Sequence, residues 1–154
     1  MRPADRRDSA DSTLVTTGAA VRIERTGARL ASDVRTASSV WARFRGLMGR
    51  RALTAGEGLW LPGDTSIHML FMRIPIDAVF LALAPAGDGA TSRAGATWRV
   101  VAVRPRLRPW TGVVWYVRGA RGCLELEAGA SERAGLRAGD VVVFETADPA
   151  ADDR

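Results

Sequence analysis

From residue 21 to residue 146 the chain is a succession of short apolar runs, divided by glycine, proline, aspartate and serine, with little room for helices between them. VRIERTGARLAS alternates Val21 and Ile23 with charge and sets Leu30 after a glycine turn, the pattern of a hairpin of short strands. LWLP follows the GEG turn, and SIHMLFMR, DAVFLAL, TWRVVAVR, GCLELEA and VVVFE come after it. Turn chemistry separates them at Pro62-Gly63-Asp64, at Ile74-Pro75 and in the Ala/Gly/Ser-rich loop from Ala84 to Ala96. So many strands predict a mainly β fold of the α+β kind: a compact β sandwich or open barrel with one main helix packed on one side.

That helix is expected to start at Ser38 or Ser39 as N-cap. It carries Val40, Phe44, Leu47 and Met48 at helical spacing and closes at Gly49. SERAGL predicts a shorter one, with Ser131 as cap and Gly135 as stop. The 154 residues fit one domain, large enough to bury roughly two thirds of the surface an unfolded chain exposes. Residues 19–145 are read as that single β-rich domain, residues 1–18 as a polar, sign-balanced, disordered tail, and residues 146–154 as an acidic tail.

MRPADRRDSADS has no apolar run behind it of the kind a secretory signal needs. The longest apolar stretch, AVFLALAPAG, is less than half of the roughly 20 residues that cross a bilayer as a helix. The expectation is a soluble, cytoplasmic protein without a membrane span. One cysteine, Cys123, excludes an internal disulfide and gives zinc no ligand cluster, and no phosphate-cradling glycine motif is present. No metal or cofactor is expected.

The formal charge is +5, and all 22 basic residues are arginine, which fits a coding bias as well as a function. Distribution is more informative. No acid lies between Asp88 and Glu125, whereas Arg93, Arg99, Arg104, Arg106, Arg108, Arg118 and Arg121 do, interleaved with Trp98, Trp110, Trp115 and Tyr116. Such a stretch (93–121) can neutralise phosphates and stack bases, with Arg104, Arg106, Arg108 and Trp110 at its densest point. It can equally be a sheet edge blunted by charge and proline.

SIHMLFMRIPID holds the only histidine. Read as a strand, it directs Ile67, Met69 and Phe71 one way and His68, Leu70 and Met72 the other, so both faces are apolar and His68 is expected in the core, tied to a backbone carbonyl. Asp77 shares a face with Val79, Leu81 and Leu83, a carboxylate at the entry of an apolar row. It must be paired, hydrogen-bonded or at the strand mouth. Arg73 is the nearest partner in sequence. The alternatives are that Asp77 accepts backbone N–H bonds to shape the Ile-Pro-Ile turn, or that it is a site.

Arg45-Gly46-Leu47-Met48, Gly56-Glu57-Gly58-Leu59, SIHMLFMRIPIDAVFL, Leu124-Glu125-Leu126-Glu127-Ala128-Gly129, and Gly135 with Gly139-Asp140 follow one another in a characteristic order. Over about residues 35 to 145 the chain thereby resembles the bacterial and archaeal family called domain of unknown function 192. The resemblance implies a compact, mainly β domain and no established activity. It matches Asp77 and Glu125 to an aspartate and a glutamate of the family pattern. Many members of the family carry an export or lipoprotein signal, which the opening residues here do not show, and Cys123 stands where a small apolar residue is usual.

Three functional classes remain. A hydrolase-like arrangement of Cys123, His68 and Asp77 has suitable residue types for acyl transfer but no spacing argument to assemble them, and paired carboxylates at Asp77 and Glu125 lack one too. Nucleic-acid binding rests on the arginine stretch alone. The reading favoured is a non-catalytic module that binds a small ligand or a protein, with His68, Arg73, Asp77 and Glu125 as its polar groups.

Overall fold

The computed structural model of the protein describes residues 16–37, 51–85 and 97–146. The expected helix from Ser38 to Gly49, nearly all of both expected tails and most of the 84–96 loop lie outside the described residues. The strands are β1 (Thr16–Ile23), β2 (Arg29–Thr36), β3 (Glu57–Pro62), β4 (Ile67–His68), β5 (Ile76–Leu83), β6 (Thr97–Leu107), β7 (Val113–Val114), β8 (Gly122–Glu127) and β9 (Val141–Thr146). One helical turn, α1 (Ala130–Arg133), lies between β8 and β9. The boundary strands begin and end slightly inside the stretches read as tails, at Thr16 and Thr146.

The mainly β expectation holds, and of the two β architectures the chain adopts the barrel, fully closed. Its order is β1-β2-β3-β8-β5-β6-β9, with β9 returning to β1. Closure removes the unpaired edges an open sheet would carry. Neighbours are antiparallel except β2 and β3, a parallel pair that needs a long crossover, which the connection from residue 37 to residue 56 supplies. VRIERTGARLAS forms the hairpin its pattern implies, turning at Gly27 with φ 71°.

Every barrel strand sends side chains inward, among them Val21, Leu30, Trp60, Val79, Val100, Leu124 and Val142. A second core lies outside the barrel. The outer face of β3, β8, β5 and β6 carries Leu61, Cys123, Ala78, Phe80 and Ala102. Residues 64–76 and 108–121 cover it with Ile67, Met69, Met72, Val114, Val117 and Ala120. Central strand β5 is therefore buried on both faces, which is why IDAVFLAL lacks polar alternation.

SIHMLFMR departs from its expectation. The strand stops at His68, where β4 pairs with β7 (Ile67 opposite Val114, His68 opposite Val113). Met69 then exchanges backbone bonds with the facing loop, its N–H to the Gly112 carbonyl and its carbonyl to the Trp110 N–H. Phe71 turns left-handed at φ 65°. The chain is thus a capped turn, with Met69 and Met72 buried, while His68, Leu70 and Phe71 are exposed. His68 is not a core residue: Ile67 packs inward against the Cys123 cluster, so its strand neighbour points out.

The cap of α1 also differs. Gly129, left-handed at φ 88°, is the N-cap and Ser131 lies within the turn, because its hydroxyl is committed elsewhere; Gly135 at φ 66° ends the element as expected.

Candidate binding site

Asp77 is fully buried at one end of the barrel and faces inward with Val79 and Leu81. Opposite it, β6 bulges: Ile76 pairs with Leu107 and Ala78 with Arg104, so Pro105 and Arg106 together face Asp77. Pro105 is tolerated because β9 pairs with β6 only over Thr97–Arg99, leaving this stretch without a second neighbour. Arg106 adopts φ 51°, and its backbone N–H donates to Asp77 Oδ1 at 2.9 Å. Gly129 N–H donates to the same oxygen at 2.9 Å. Ser131 donates to Oδ2 through its N–H at 3.0 Å and its hydroxyl at 2.5 Å. Burial alone would raise the Asp77 carboxyl; these four donors outweigh it and hold the group below the ordinary carboxylate range. Asp77 therefore accepts backbone N–H bonds, but from the β6 bulge and the start of α1 rather than from the Ile-Pro-Ile turn. Exposed Arg73 is not among its partners.

Glu125 is the opposite case. It is 7% exposed, and no hydrogen bond or ion pair among the described residues involves it. The register sets Leu59, Glu125 and Ala78 in one row across the outer face, one step from Leu61, Cys123 and Phe80. Desolvation there, with the charge of Asp64 nearby, pushes the Glu125 carboxyl up to about 8. Cys123 is fully buried in the next row, and burial followed by the charges of Glu125 and Asp64 holds its thiol well above its usual value. Asp64 was not singled out by the sequence. Its only signal was its place after Pro62-Gly63, which reads as turn chemistry.

The four expected polar groups do not converge. Asp77 is opposite Leu126 and points into the barrel, whereas Glu125 is opposite Ala78 and points out, so the sheet separates the two carboxylates. His68 and Arg73 are exposed on the covering segment. The same parity separates Cys123 from Asp77, and with His68 turned outward the three do not form a nucleophile, base and orienting group.

The arginine stretch is acid-free in sequence but not in space. Arg106 pairs with Glu132 at 2.8 Å. Arg104 is exposed and, among the described residues, donates only to the Val103 carbonyl at 3.2 Å, while Arg108 and Trp110 are exposed on the covering loop. A cleft of about 310 Å³ between β2 and α1, lined by small residues with Arg29 and Arg133, contains none of the candidates. Among the described residues no group of histidine, cysteine, aspartate or glutamate has a metal-binding arrangement, and no helix is long and apolar enough to cross a membrane.

Two solved structures share the fold. A candidate transcription regulator from Sinorhizobium meliloti 1021 superposes with a TM-score of 0.65 at 22% identity, covering 84% of this chain and 95% of that one. A protein of unknown function from Novosphingobium aromaticivorans DSM 12444 does so with a TM-score of 0.63 at 21% identity, covering 92% of each chain. At these identities the likeness is one of fold. No curated protein matches the sequence. Residues 21–85, from within β1 to just past β5, match the model of domain of unknown function 192, described as Uncharacterized ACR, the family that the sequence motifs resemble.

Proposed function

We propose that the protein is a non-catalytic binding module that takes a small, largely apolar ligand with one polar group against Glu125, on the outer face of the barrel. The observation that carries this reading is a buried carboxyl with no hydrogen-bond or ion-pair partner among the described residues. Such a group costs several kcal/mol unless something bonds to it, and a ligand donor would relieve that cost. Leu59 and Ala78 in the same row provide the apolar flanks, and Asp64 favours a ligand group that donates rather than accepts. His68, Arg73 and Asp77 do not enter the site in this reading. Nucleic-acid binding through residues 93–121 is less well supported, because Arg106 is already neutralised by Glu132.

Native mass spectrometry of the full chain purified gently from its own host tests the proposal. A discrete small adduct on the wild type that is lost in Glu125→Ala is the expected result. An adduct retained by Glu125→Ala, or a wild type that is bare under gentle ionisation, would overturn it.

A further inference from the structure

All the exposed large hydrophobic side chains among the described residues except Leu83 fall in two facing segments: Leu70, Phe71, Trp110, Val113, Trp115 and Tyr116. They share one surface. β4 and β7 pair directly, Met69 bonds to Gly112 and Trp110, and the Val117 N–H donates to the Thr65 carbonyl, so residues 65–72 and 110–117 form one antiparallel ribbon. Its inner side, Ile67 and Val114, is packed on the barrel, and its outer side carries the exposed set, with Trp115 86% exposed. Scattered apolar exposure is ordinary, but a contiguous apolar strip marks an interaction surface.

The backbone holds this display open. Phe71 and Trp110 both adopt positive φ, 65° and 66°, a conformation that bulky L residues avoid. Their rings meet edge to face at 5.3 Å at the tip of the ribbon. Around the strip stand Arg73, Arg108 and Arg118, exposed and in no ion pair with a described residue. From Thr65 to Leu124 the described segments hold one acid, Asp77, which faces the barrel interior.

We propose that this ribbon is a docking surface for an anionic lipid bilayer, which it meets at the headgroup level without spanning it. Tryptophan and tyrosine favour that layer, leucine and valine gain by entering the acyl boundary, and the arginines face the negative headgroups. A single-stranded nucleic acid fits less well. Leu70 and Val113 have no base to stack on, and rings inclined at 66° cannot both lie flat against successive parallel bases.

The test is co-sedimentation of the full chain with phosphatidylcholine vesicles and with vesicles of equal parts phosphatidylcholine and phosphatidylglycerol. The expected result is sedimentation with the mixed vesicles alone. Trp115→Ser should weaken it severalfold, and Arg108→Gln and Arg118→Gln roughly fivefold each. These side chains are exposed, and an unchanged unfolding midpoint confirms that each variant folds. Glu125→Gln should leave sedimentation unchanged, since the ribbon acts independently of that site. Failure of the folded wild type to sediment, or sedimentation indifferent to Trp115→Ser, overturns the proposal. Binding of an oligothymidylate that Trp115→Ser abolishes, with no vesicle binding, overturns it in favour of nucleic acid.

Discussion

Ser131 holds Asp77 twice, through its backbone N–H at 3.0 Å and its hydroxyl at 2.5 Å, both to the same carboxylate oxygen. The residues are far apart in sequence, and the pair ties the start of α1 to the start of β5. With the donors from Gly129 and Arg106 it fixes three segments at one mouth of the barrel. Asp77→Asn would turn one acceptor into an amide facing the Ser131 donors. We expect a loss of about 2 to 3 kcal/mol in urea denaturation at neutral pH. The sign with pH follows from a carboxyl held below its ordinary range. Its contribution is complete above the unfolded pKa and disappears as pH falls through the folded one. Asp77→Asn should therefore flatten the acid limb of stability against pH, and an unchanged acid limb would contradict this role.

Glu125 has the reverse linkage. Its carboxyl is raised from 4.5 to about 8, so its contribution is complete below the unfolded value and is lost as pH rises through the folded one. Across that window the slope approaches about 1.4 kcal/mol per pH unit. Glu125→Gln should match the wild type in weak acid and exceed it in stability above pH 8. Equal midpoints for the two proteins at high pH would show that the carboxyl is not desolvated as described.

The strands were readable because alternation and turn residues act locally: β1, β2, β3, β5, β6, β8 and β9 each lie on a run identified from composition and spacing. SIHMLFMR misled for a physical reason. An unbroken apolar run is also what a tight turn needs when one side packs on a barrel and the other is displayed, and neither Phe71 nor Trp110 announces a positive φ. Asp77 was readable as a carboxylate in an apolar row. Its donors were not, since they come from a bulge at Arg106 and a turn at Gly129 set by barrel closure. The separation of Asp77 from Glu125 likewise depends on the β5–β8 register, which no single strand encodes.

Cys123 should behave as a packed apolar group. It is fully buried against Leu61 and Phe80, and burial together with nearby carboxylates keeps the thiol protonated. Iodoacetamide should label it at least about a hundredfold more slowly in the native protein than in urea, because labelling must wait for opening. Equal rates would place the sulfur at the surface.

Gly122 is where backbone and core meet most closely. A Cβ there would lie 2.2, 2.6 and 2.8 Å from three atoms of the Trp60 ring. That ring cannot move aside easily, since Trp98 meets it at 4.9 Å and Phe144 at 5.5 Å between centroids. Gly122→Ala should therefore cost about 2 to 3 kcal/mol by overpacking. Gly119 provides the comparison: nothing lies within 4 Å of its added Cβ, and only its φ of 85° resists substitution, so Gly119→Ala should cost about 1 kcal/mol. Urea midpoints of the two variants at unchanged m separate steric from conformational cost. If Gly122→Ala were no worse than Gly119→Ala, the Trp60, Trp98 and Phe144 rings would have to yield, and the interior of the barrel would be looser than its packing implies.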